Sequence, residues 1–311
     1  MFRLFYCDHY AIPLPGGHKF PMAKYRMVRD RLQMTGLFEF ECAPLADEET
    51  VALIHDRDYV RRFMAGELEP AAVRRIGFPW SDGLVRRTLA SVGGTMGACE
   101  DALAKGWGGN LAGGTHHASR SEGAGFCVLN DMAVTIAWLR AAGRIRRAAV
   151  IDCDVHQGDG TALIFERDPA VFTLSLHGEK NFPFRKQRSR ADAALPDGTG
   201  DEEYLRTLAA CLPAVFAFAP DIVFYQAGVD PLAADTLGRL SLTMEGLAAR
   251  DRLVLETARD AGVPVVIVLG GGYAKPIELT AAAHAQTFVT AAALYAPGPS
   301  SSALNSSLSV R

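Results

Sequence analysis

Acidic residues and a histidine alternate at the end of one buried apolar run in this sequence. The run AAVID continues into CDVHQGDG, so Asp152, Asp154 and His156 fall on one side of an extended chain. An Asp-x-His pair from one strand end can bind a metal ion, and Asp230, at the end of the run IVFYQAGVD, can complete the set. Three protein ligands leave a position open for water or substrate, as in catalytic metal sites. This ligand set suits Zn²⁺, and Fe²⁺, Co²⁺ and Mn²⁺ are also compatible with it.

Two further motifs carry groups that transfer protons or stabilise negative charge. His116 and His117 follow a Gly-Gly turn, and neutral imidazole is the usual base near pH 7. Such histidines need carboxylates to orient them, and Asp152 and Asp159 are available at the neighbouring strand end. Tyr273 follows three glycines, and its phenol can donate a hydrogen bond to a developing oxyanion.

The elements of a single sheet must bring these groups together. Short β-branched runs alternate with amphipathic stretches, which predicts a mostly parallel sheet flanked by helices. The predicted strands are 110–112, 148–153, 171–176, 221–226 and 265–269, and the predicted helices are 22–33, 48–64, 84–104, 132–142, 202–218, 245–261 and 277–294. Ligands bind at the carboxyl ends of parallel strands, so four strand ends with ionisable groups predict one site at that edge.

The composition is that of an ordinary soluble protein. The chain has 311 residues, 49% of them hydrophobic and 22% charged, with a net charge of −3. These values argue against a disordered or fibrous chain, and no basic field is available to bind nucleic acid. We find no signal peptide and no long apolar run, so we expect a cytoplasmic protein that does not bind membranes. We predict one catalytic domain over 1–296 and a Pro/Gly/Ser-rich tail over 297–311, and the oligomeric state is left open.

Taken together, the motifs resemble those of the histone deacetylase family of metal-dependent amide hydrolases, nearest to its bacterial and class IV-like members. The similar stretches keep the family's order: GGTHHA (113–118), GAGFCVLND (123–131), AVIDCDVHQGDGT (149–161), TLSLHGEKNFPF (173–184), LPDGTGDEEYL (195–205), YQAGVDPLAADTLGRLSLT (225–243) and LGGGY (269–273). The fold that this resemblance implies is an arginase-like three-layer α/β sandwich around an eight-stranded, mostly parallel sheet.

The resemblance also implies a role for each candidate residue. The implied zinc ligands are Asp154, His156 and Asp230. The implied catalytic groups are the water-activating and amine-protonating pair His116 and His117, their partners Asp152 and Asp159, and the carbonyl-polarising Tyr273. A structural K⁺ is implied as well, bound by the main chain of Asp152, Asp154, His156 and Leu176 and by the hydroxyl of Ser175.

The substrate implied by the resemblance is an acyl-lysine side chain in a narrow channel. Gly125 and Phe126 match one channel wall, and Phe182 is expected on the other. Leu237 stands at the rim where polyamine-selective relatives carry an acidic residue, which favours acyl-lysine over a cationic polyamine. The basic loop 185–190 is expected to be solvated, and it would repel a basic histone tail if it lay beside the channel.

Three alternative functions stay open. One is a small-molecule amidohydrolase acting on an N-acyl amine such as an acetylpolyamine. The second is an arginase-like manganese ureohydrolase, which the single Asp-x-His pair and Tyr273 disfavour. The third is a catalytically silent binding module, which the filled catalytic positions disfavour. The acyl-chain length and the native metal are not determined by the sequence.

Overall fold

Eight strands of the described chain form one parallel sheet. The computed structural model of the protein describes residues 1–296, so the predicted tail at 297–311 lies outside the described residues. The strands are β1 (Phe2–Tyr6), β2 (Phe38–Cys42), β3 (Trp107–Asn110), β4 (Ala148–Asp152), β5 (Val171–Gly178), β6 (Ala191–Leu195), β7 (Ile222–Gln226) and β8 (Val265–Val268). Their order is β2-β1-β3-β8-β7-β4-β5-β6, and every neighbouring pair is parallel. The predicted eight-stranded sheet is confirmed, and in these residues it is parallel throughout.

Helices connect the strands and pack in two groups. They are α1 (Ala23–Gln33), α2 (Glu48–Val51), α3 (Arg57–Ala65), α4 (Pro70–Ile76), α5 (Asp82–Lys105), α6 (Asp131–Ala141), α7 (Asp159–Phe165), α8 (Asp201–Ala217), α9 (Met244–Asp260) and α10 (Ile277–Tyr295). In one group α1, α10, α9 and α8 pack side by side in that order, and in the other α5 packs against α6. No helix within residues 1–296 is long and apolar enough to cross a membrane.

Burial explains why the central strands form where they do. Every residue of β4, β7 and β8 is buried, and their near-continuous apolar sequences are typical of parallel strands covered on both faces. The edge strands β2 and β6 are partly exposed. One large apolar cluster packs around the sheet, and a smaller second cluster lies under α2 to α5, where it includes Phe63, Phe78 and Leu89.

The strand expected at 110–112 instead runs from Trp107 to Asn110. Its middle residues, Gly108 and Gly109, have low strand propensity, so their pairing with β8 was not expected. Close packing requires them there. A Cβ at Gly108 would lie 1.9 Å from the Ala98 carbonyl oxygen of α5. Gly108 therefore lets α5 pack directly on the strand that leads to the histidine pair, and Gly109 leaves room for Leu4 and Phe288.

The helix expected at 48–64 is divided into α2 and α3. Asp47 caps α2, and its side chain accepts a hydrogen bond from the Thr50 N–H. Asp56 begins a new helix in the same way, by accepting hydrogen bonds from the N–H groups of Asp58 and Tyr59. The break therefore has a local cause, a second N-cap residue inside an otherwise helical pattern.

Candidate active site

The four strands that were expected to carry the site are neighbours at the centre of the sheet. The order β3-β8-β7-β4 places their carboxyl ends side by side, and a cavity of about 530 Å³ opens above them. It is lined by nine of the predicted residues: His116, His117, Gly125, Phe126, Asp154, His156, Phe182, Leu237 and Tyr273. Asp230 is fully buried beneath it. The predicted convergence on one sheet edge is therefore observed.

Asp154, His156 and Asp230 form a compact cluster at the base of this cavity. Each offers one ligand atom, and the three atoms lie within 4.8 Å of one another. The Nδ1 atom of His156 is 3.0 Å from Asp154 Oδ1 and 3.1 Å from Asp230 Oδ2. Two carboxylates and an imidazole at this spacing can hold one divalent cation.

Main-chain groups fix both carboxylates of the cluster. Asp154 Oδ2 accepts a hydrogen bond from the Gly271 N–H at 2.7 Å, and Asp230 Oδ1 accepts one from the Val155 N–H at 2.8 Å. A Cβ at Gly271 would lie only 2.0 Å from Asp230 Oδ2, so this position of the glycine loop requires glycine. Hydrogen bonds of this kind orient metal-ligating side chains.

The charges of this cluster also favour a cation. Asp154 and Asp230 are 1% and 0% exposed, so both carboxylates are almost fully removed from water. Burial, together with the charge of Asp154, raises the pKa of Asp230 to about 7. Burial lowers the pKa of His156, but its hydrogen bonds to Asp154 and Asp230 outweigh this effect and raise it to about 10. Both shifts favour a positive charge at the two carboxylates, which a proton or a divalent cation can supply.

The two adjacent histidines each have their own carboxylate partner. The Nδ1 atom of His116 is 2.7 Å from Asp152 Oδ2, and the Nδ1 atom of His117 is 2.6 Å from Asp159 Oδ1. Asp152 ends β4 and Asp159 begins α7, so one strand–helix connection orients both rings. With Nδ1–H donating to a carboxylate, the Nε2 atom of each ring is the one available for proton transfer.

The pKa values of the two histidines shift in opposite directions. Burial lowers the pKa of His116, but the charges of Asp152 and Asp154 outweigh burial and raise it to about 9. Burial and then the charge of His116 lower the pKa of His117 to about 4, against the effect of Asp159. Titratable neighbours with separated pKa values are typical of acid–base sites.

Tyr273 is held beside the cluster by contacts to its ring and its main chain. Its N–H donates to Asp235 Oδ2 at 2.6 Å, and the ammonium of Lys24 lies 5.2 Å from the ring centroid. Burial raises the pKa of Tyr273 well above its usual value, and nearby Tyr25 and Asp230 add to the rise. The phenol is therefore a hydrogen-bond donor at neutral pH.

Aromatic rings form the upper walls of the cavity, as expected. The ring of Phe182 lies 4.9 Å from that of His117, and the ring of Phe126 lies 6.2 Å from that of Tyr273, centroid to centroid. Gly125 and Phe126 both have positive φ, 53° and 67°, which is uncommon for a bulky residue. The Phe126 N–H donates to the Ile76 carbonyl at 2.7 Å and so helps to hold this conformation.

Two buried cations near the site were not identified from the sequence. Lys24, which is 0% exposed, donates to the carbonyl oxygens of Gly270 and Gly272 at 3.0 and 3.4 Å. Arg250, also 0% exposed, pairs with Asp251 and donates to the carbonyl oxygens of Cys153 and Gly228. Both residues look like ordinary surface residues of amphipathic helices in the sequence, so no local signal separates them from the other basic residues.

The residues expected to bind K⁺ lie on the paired strands β4 and β5 and in the loop that follows β4. Ser175 on β5 is paired with Asp152 on β4, and Leu176 follows it. The hydroxyl of Ser175 is buried and lies 3.0 Å from the Nδ1 atom of His177. The strand register thus places Asp152 beside Ser175, and the bound ion itself stays a prediction.

Comparison with known proteins identifies the family. The model of the histone deacetylase domain matches residues 18–290. The chain belongs to the histone deacetylase family. Every candidate residue named above lies inside the matched range, including the two buried cations. This membership confirms the predicted resemblance and places the chain among deacetylases and related amidohydrolases.

Relatives within the histone deacetylase family cover most of the chain. An uncharacterized protein of Picosynechococcus sp. is 47% identical over 281 residues, which are 89% of this chain and 94% of that protein. The histone deacetylase-like amidohydrolase of Pseudomonas aeruginosa is 30% identical over 285 residues, 85% of this chain and 74% of that protein. The crystal structure of an HDAC homolog complexed with SAHA has a TM-score of 0.77 and 27% identity over 93% of this chain and 84% of that chain. The predicted arginase-like α/β fold is thereby confirmed.

Proposed function

We propose that this chain is a metal-dependent deacylase that hydrolyses the amide of acyl-lysine in a polypeptide. The observation that carries the proposal is the position of the Asp154–His156–Asp230 cluster. It lies at the base of a cavity that also contains a histidine pair with carboxylate partners and a half-buried tyrosine. Membership in the histone deacetylase family supports the same reaction class.

Zn²⁺ is the proposed metal because the cluster supplies two carboxylates and one imidazole and leaves room for further ligands. Fe²⁺ and Co²⁺ fit the same donor atoms. A bound Zn²⁺ supplies Lewis-acid chemistry, since it polarises a carbonyl and lowers the pKa of water to about 7. The close approach of Gly271 to both carboxylates supports the fit, because it fixes their oxygens around one point.

In the proposed reaction the protein's own residues transfer the protons. His117, which is neutral at pH 7, accepts a proton at Nε2 from the attacking water, and Asp159 orients its ring. Tyr273 donates a hydrogen bond to the substrate carbonyl oxygen, where negative charge develops. The histidine pair then returns a proton to the amine nitrogen as the C–N bond breaks, and the products are a carboxylate and a free amine.

The walls and rim of the cavity favour acyl-lysine over a polyamine. Phe126 and Phe182 offer apolar surfaces that suit the methylene stem of lysine. Leu237 at the rim carries no charge, and the basic residues that line the cavity, Lys180 and Arg239 among them, repel a cationic polyamine. A small-molecule N-acyl amine is the alternative outcome of the substrate test.

The test is a substrate panel assayed on the chelator-treated enzyme with Zn²⁺, Fe²⁺ or Co²⁺ added back. It contains acetyl- to myristoyl-lysine peptides, acetylpolyamines, and arginine with urea release as the readout. We expect metal-dependent turnover with a higher kcat/KM on an acyl-lysine peptide than on any acetylpolyamine. The opposite ratio would assign a small-molecule amidohydrolase, and the absence of turnover on every amide would refute the hydrolase proposal.

We also propose a structural K⁺ beside the site, supported by the pairing of Asp152 with Ser175 across β4 and β5. The midpoint of thermal unfolding should be higher in KCl than in choline chloride at equal ionic strength. The difference should shrink in Ser175→Ala. A cytoplasmic location and a single domain over 1–296 stay predictions of the sequence.

A further inference from the structure

A second groove opens beside the candidate active site and shares part of its rim. The groove has a volume of about 420 Å³, and we call it the side groove. Leu237 and Tyr273 line both the side groove and the central cavity, so the two spaces meet at these residues. A polypeptide that places one side chain in the central cavity therefore has its neighbouring residues at or near the side groove.

Hydrogen bonds hold the walls of the side groove in place. The N–H and the hydroxyl of Thr236 both donate to the Tyr273 carbonyl, at 3.3 and 2.9 Å. The Lys275 N–H donates to the Ala234 carbonyl at 3.2 Å. Asp235, between these segments, accepts hydrogen bonds from the N–H groups of Tyr273 and of Leu237, at 2.6 and 2.8 Å. These bonds cross-link segment 234–237 to segment 273–275, so the part of the rim that carries Lys275 is preformed, and segment 17–21, which carries Lys19, forms the remaining wall.

The side groove presents positive charge that no carboxylate among its lining residues compensates. Lys19 and Lys275 line it, both side chains belong to exposed residues, and no acidic residue is among its lining residues. Neither lysine forms an ion pair within the part of the chain that the structure describes. Two exposed ammonium groups on a fixed groove can attract a carboxylate from a substrate.

The rim of the central cavity adds to the same charge. Arg75, Lys180 and Arg239 line it. Glu122 pairs with Arg75 at 2.8 Å, and a single carboxylate, Asp197, serves Arg239 at 3.2 Å and Lys180 at 3.9 Å. Five cations thus line the two openings, and two of the carboxylates around them, Glu122 and Asp197, pair with three of these cations. Lys19 and Lys275 are thus the lining cations without an ion pair in the described chain, although the whole chain is weakly acidic.

We propose that the side groove is a subsite for an acidic residue next to the acyl-lysine. The preferred substrates are then acyl-lysine polypeptides with Asp or Glu beside the modified lysine, and strongly basic segments are disfavoured. This inference rests on the proposed acyl-lysine deacylase function. Lys19 and Lys275 are the specificity-determining residues, and Leu237 separates the acidic subsite from the catalytic cavity.

Three peptides that differ only beside the acetyl-lysine test the proposal: one carries Asp, one Gln and one Lys at the flanking positions. We expect kcat/KM to fall in that order, with the Asp peptide about fivefold to twentyfold above the Lys peptide at an ionic strength of about 0.01 M. The preference should arise mainly in KM and should largely disappear at about 1 M salt, where screening is nearly complete.

A double variant tests whether the groove causes the preference. The double variant Lys19→Gln with Lys275→Gln should reduce the ratio of kcat/KM between the Asp peptide and the Lys peptide. The reduced ratio should be about the one that the wild type shows at high salt. The matched control is Arg31→Gln with Arg206→Gln, which removes the same charge from exposed helix positions that line neither cavity. The control should keep the wild-type ratio. Each single lysine variant should give an intermediate ratio.

Distinct outcomes separate the two proposals. Turnover of the Gln peptide without preference for Asp over Lys would refute the acidic subsite and leave the deacylase function standing. A preference that survives in the lysine double variant, or disappears equally in the arginine control, would also refute the subsite. No turnover of any of the three peptides by the metal-loaded enzyme would refute the deacylase function and the subsite with it.

Discussion

Removing the hydroxyl of Tyr273 is a selective perturbation of the proposed mechanism. Tyr273→Phe keeps the aromatic ring, and with it the contacts to Phe126, at 6.2 Å between ring centroids, and to the Lys24 ammonium, at 5.2 Å from the ring centroid. The main-chain N–H still donates to Asp235. The substitution therefore removes one hydrogen-bond donor and leaves the packing that positions it.

The expected loss follows from the role of that donor. Burial raises the pKa of Tyr273 well above its usual value, so the hydroxyl is protonated at neutral pH and donates fully. Loss of one oxyanion donor lowers kcat by about 10² to 10³, or about 2.7–4 kcal/mol in activation free energy. Metal content should not change, since Tyr273 is not part of the Asp154–His156–Asp230 cluster.

The assay is steady-state hydrolysis of an acetyl-lysine peptide, with metal content from elemental analysis and the midpoint of thermal unfolding measured on the same samples. Tyr25→Phe is the comparison, because the ring of Tyr25 lies under the same Lys24 ammonium, at 5.2 Å, and lines the same cavity. We expect Tyr25→Phe to lose less than about tenfold in kcat, well short of an oxyanion donor's contribution. If Tyr273→Phe with full metal content kept more than about a tenth of wild-type kcat, the oxyanion role would be refuted.

Three further variants test the metal cluster, the buried ion pair and the response to pH. Asp154→Ala should abolish stoichiometric metal binding in elemental analysis, because it removes one of three ligands. Arg250→Met should lower the free energy of unfolding in urea by about 3–5 kcal/mol, because Asp251 is left buried without its cation, and adding Asp251→Asn should recover part of the loss. His55, whose Nε2 accepts from the Asn130 N–H, has its pKa lowered to about 4 by burial. The pKa of a histidine in the unfolded chain is about 6.5, so proton uptake by this residue should lower the free energy of unfolding of the wild type by about 2 kcal/mol between pH 7 and pH 5. The His55→Gln variant should not show this decrease.

Each of these variants has an outcome that contradicts its reasoning. Unchanged metal stoichiometry in Asp154→Ala would remove this residue from the ligand set. For Arg250→Met, a free energy of unfolding within about 1 kcal/mol of wild type would mean that the buried pair contributes little to stability. If His55→Gln and the wild type lost stability equally between pH 7 and pH 5, proton uptake by His55 would not cause the loss.

Strand ends were the most predictable part of the structure. The runs that form β4, β7 and β8 are short, apolar and buried throughout, and each is followed by polar residues that have no place in a core. Asp154, Asp230 and Tyr273 could therefore be assigned to one edge before their distances were known. The edge elements were harder to predict, because β6, with the sequence ADAAL, lacks β-branched residues and is only partly buried.

The contacts that hold the strand ends could not be read from the motifs. Lys24 on α1 donates to the glycine loop that carries Tyr273, 246 residues away along the chain. Arg250 on α9 donates to the carbonyl of Cys153, next to Asp154, and to that of Gly228, two residues before Asp230. A cation on an amphipathic helix usually faces water, and only the packing of α1 and α9 turns these two inward.

Lys24 and Arg250 both donate hydrogen bonds to main-chain carbonyls in the loops that follow the strands. This shared role explains why a buried charge is tolerated at each position. Parallel strands end in loops whose carbonyls cannot all be paired within the sheet, and three of the loops here must also keep acidic or phenolic side chains in fixed places. A side chain with several N–H donors satisfies two such carbonyls at once, as Lys24 and Arg250 do. The ligand geometry of the cluster therefore depends on the helices that cover the sheet as well as on the motifs at its edge.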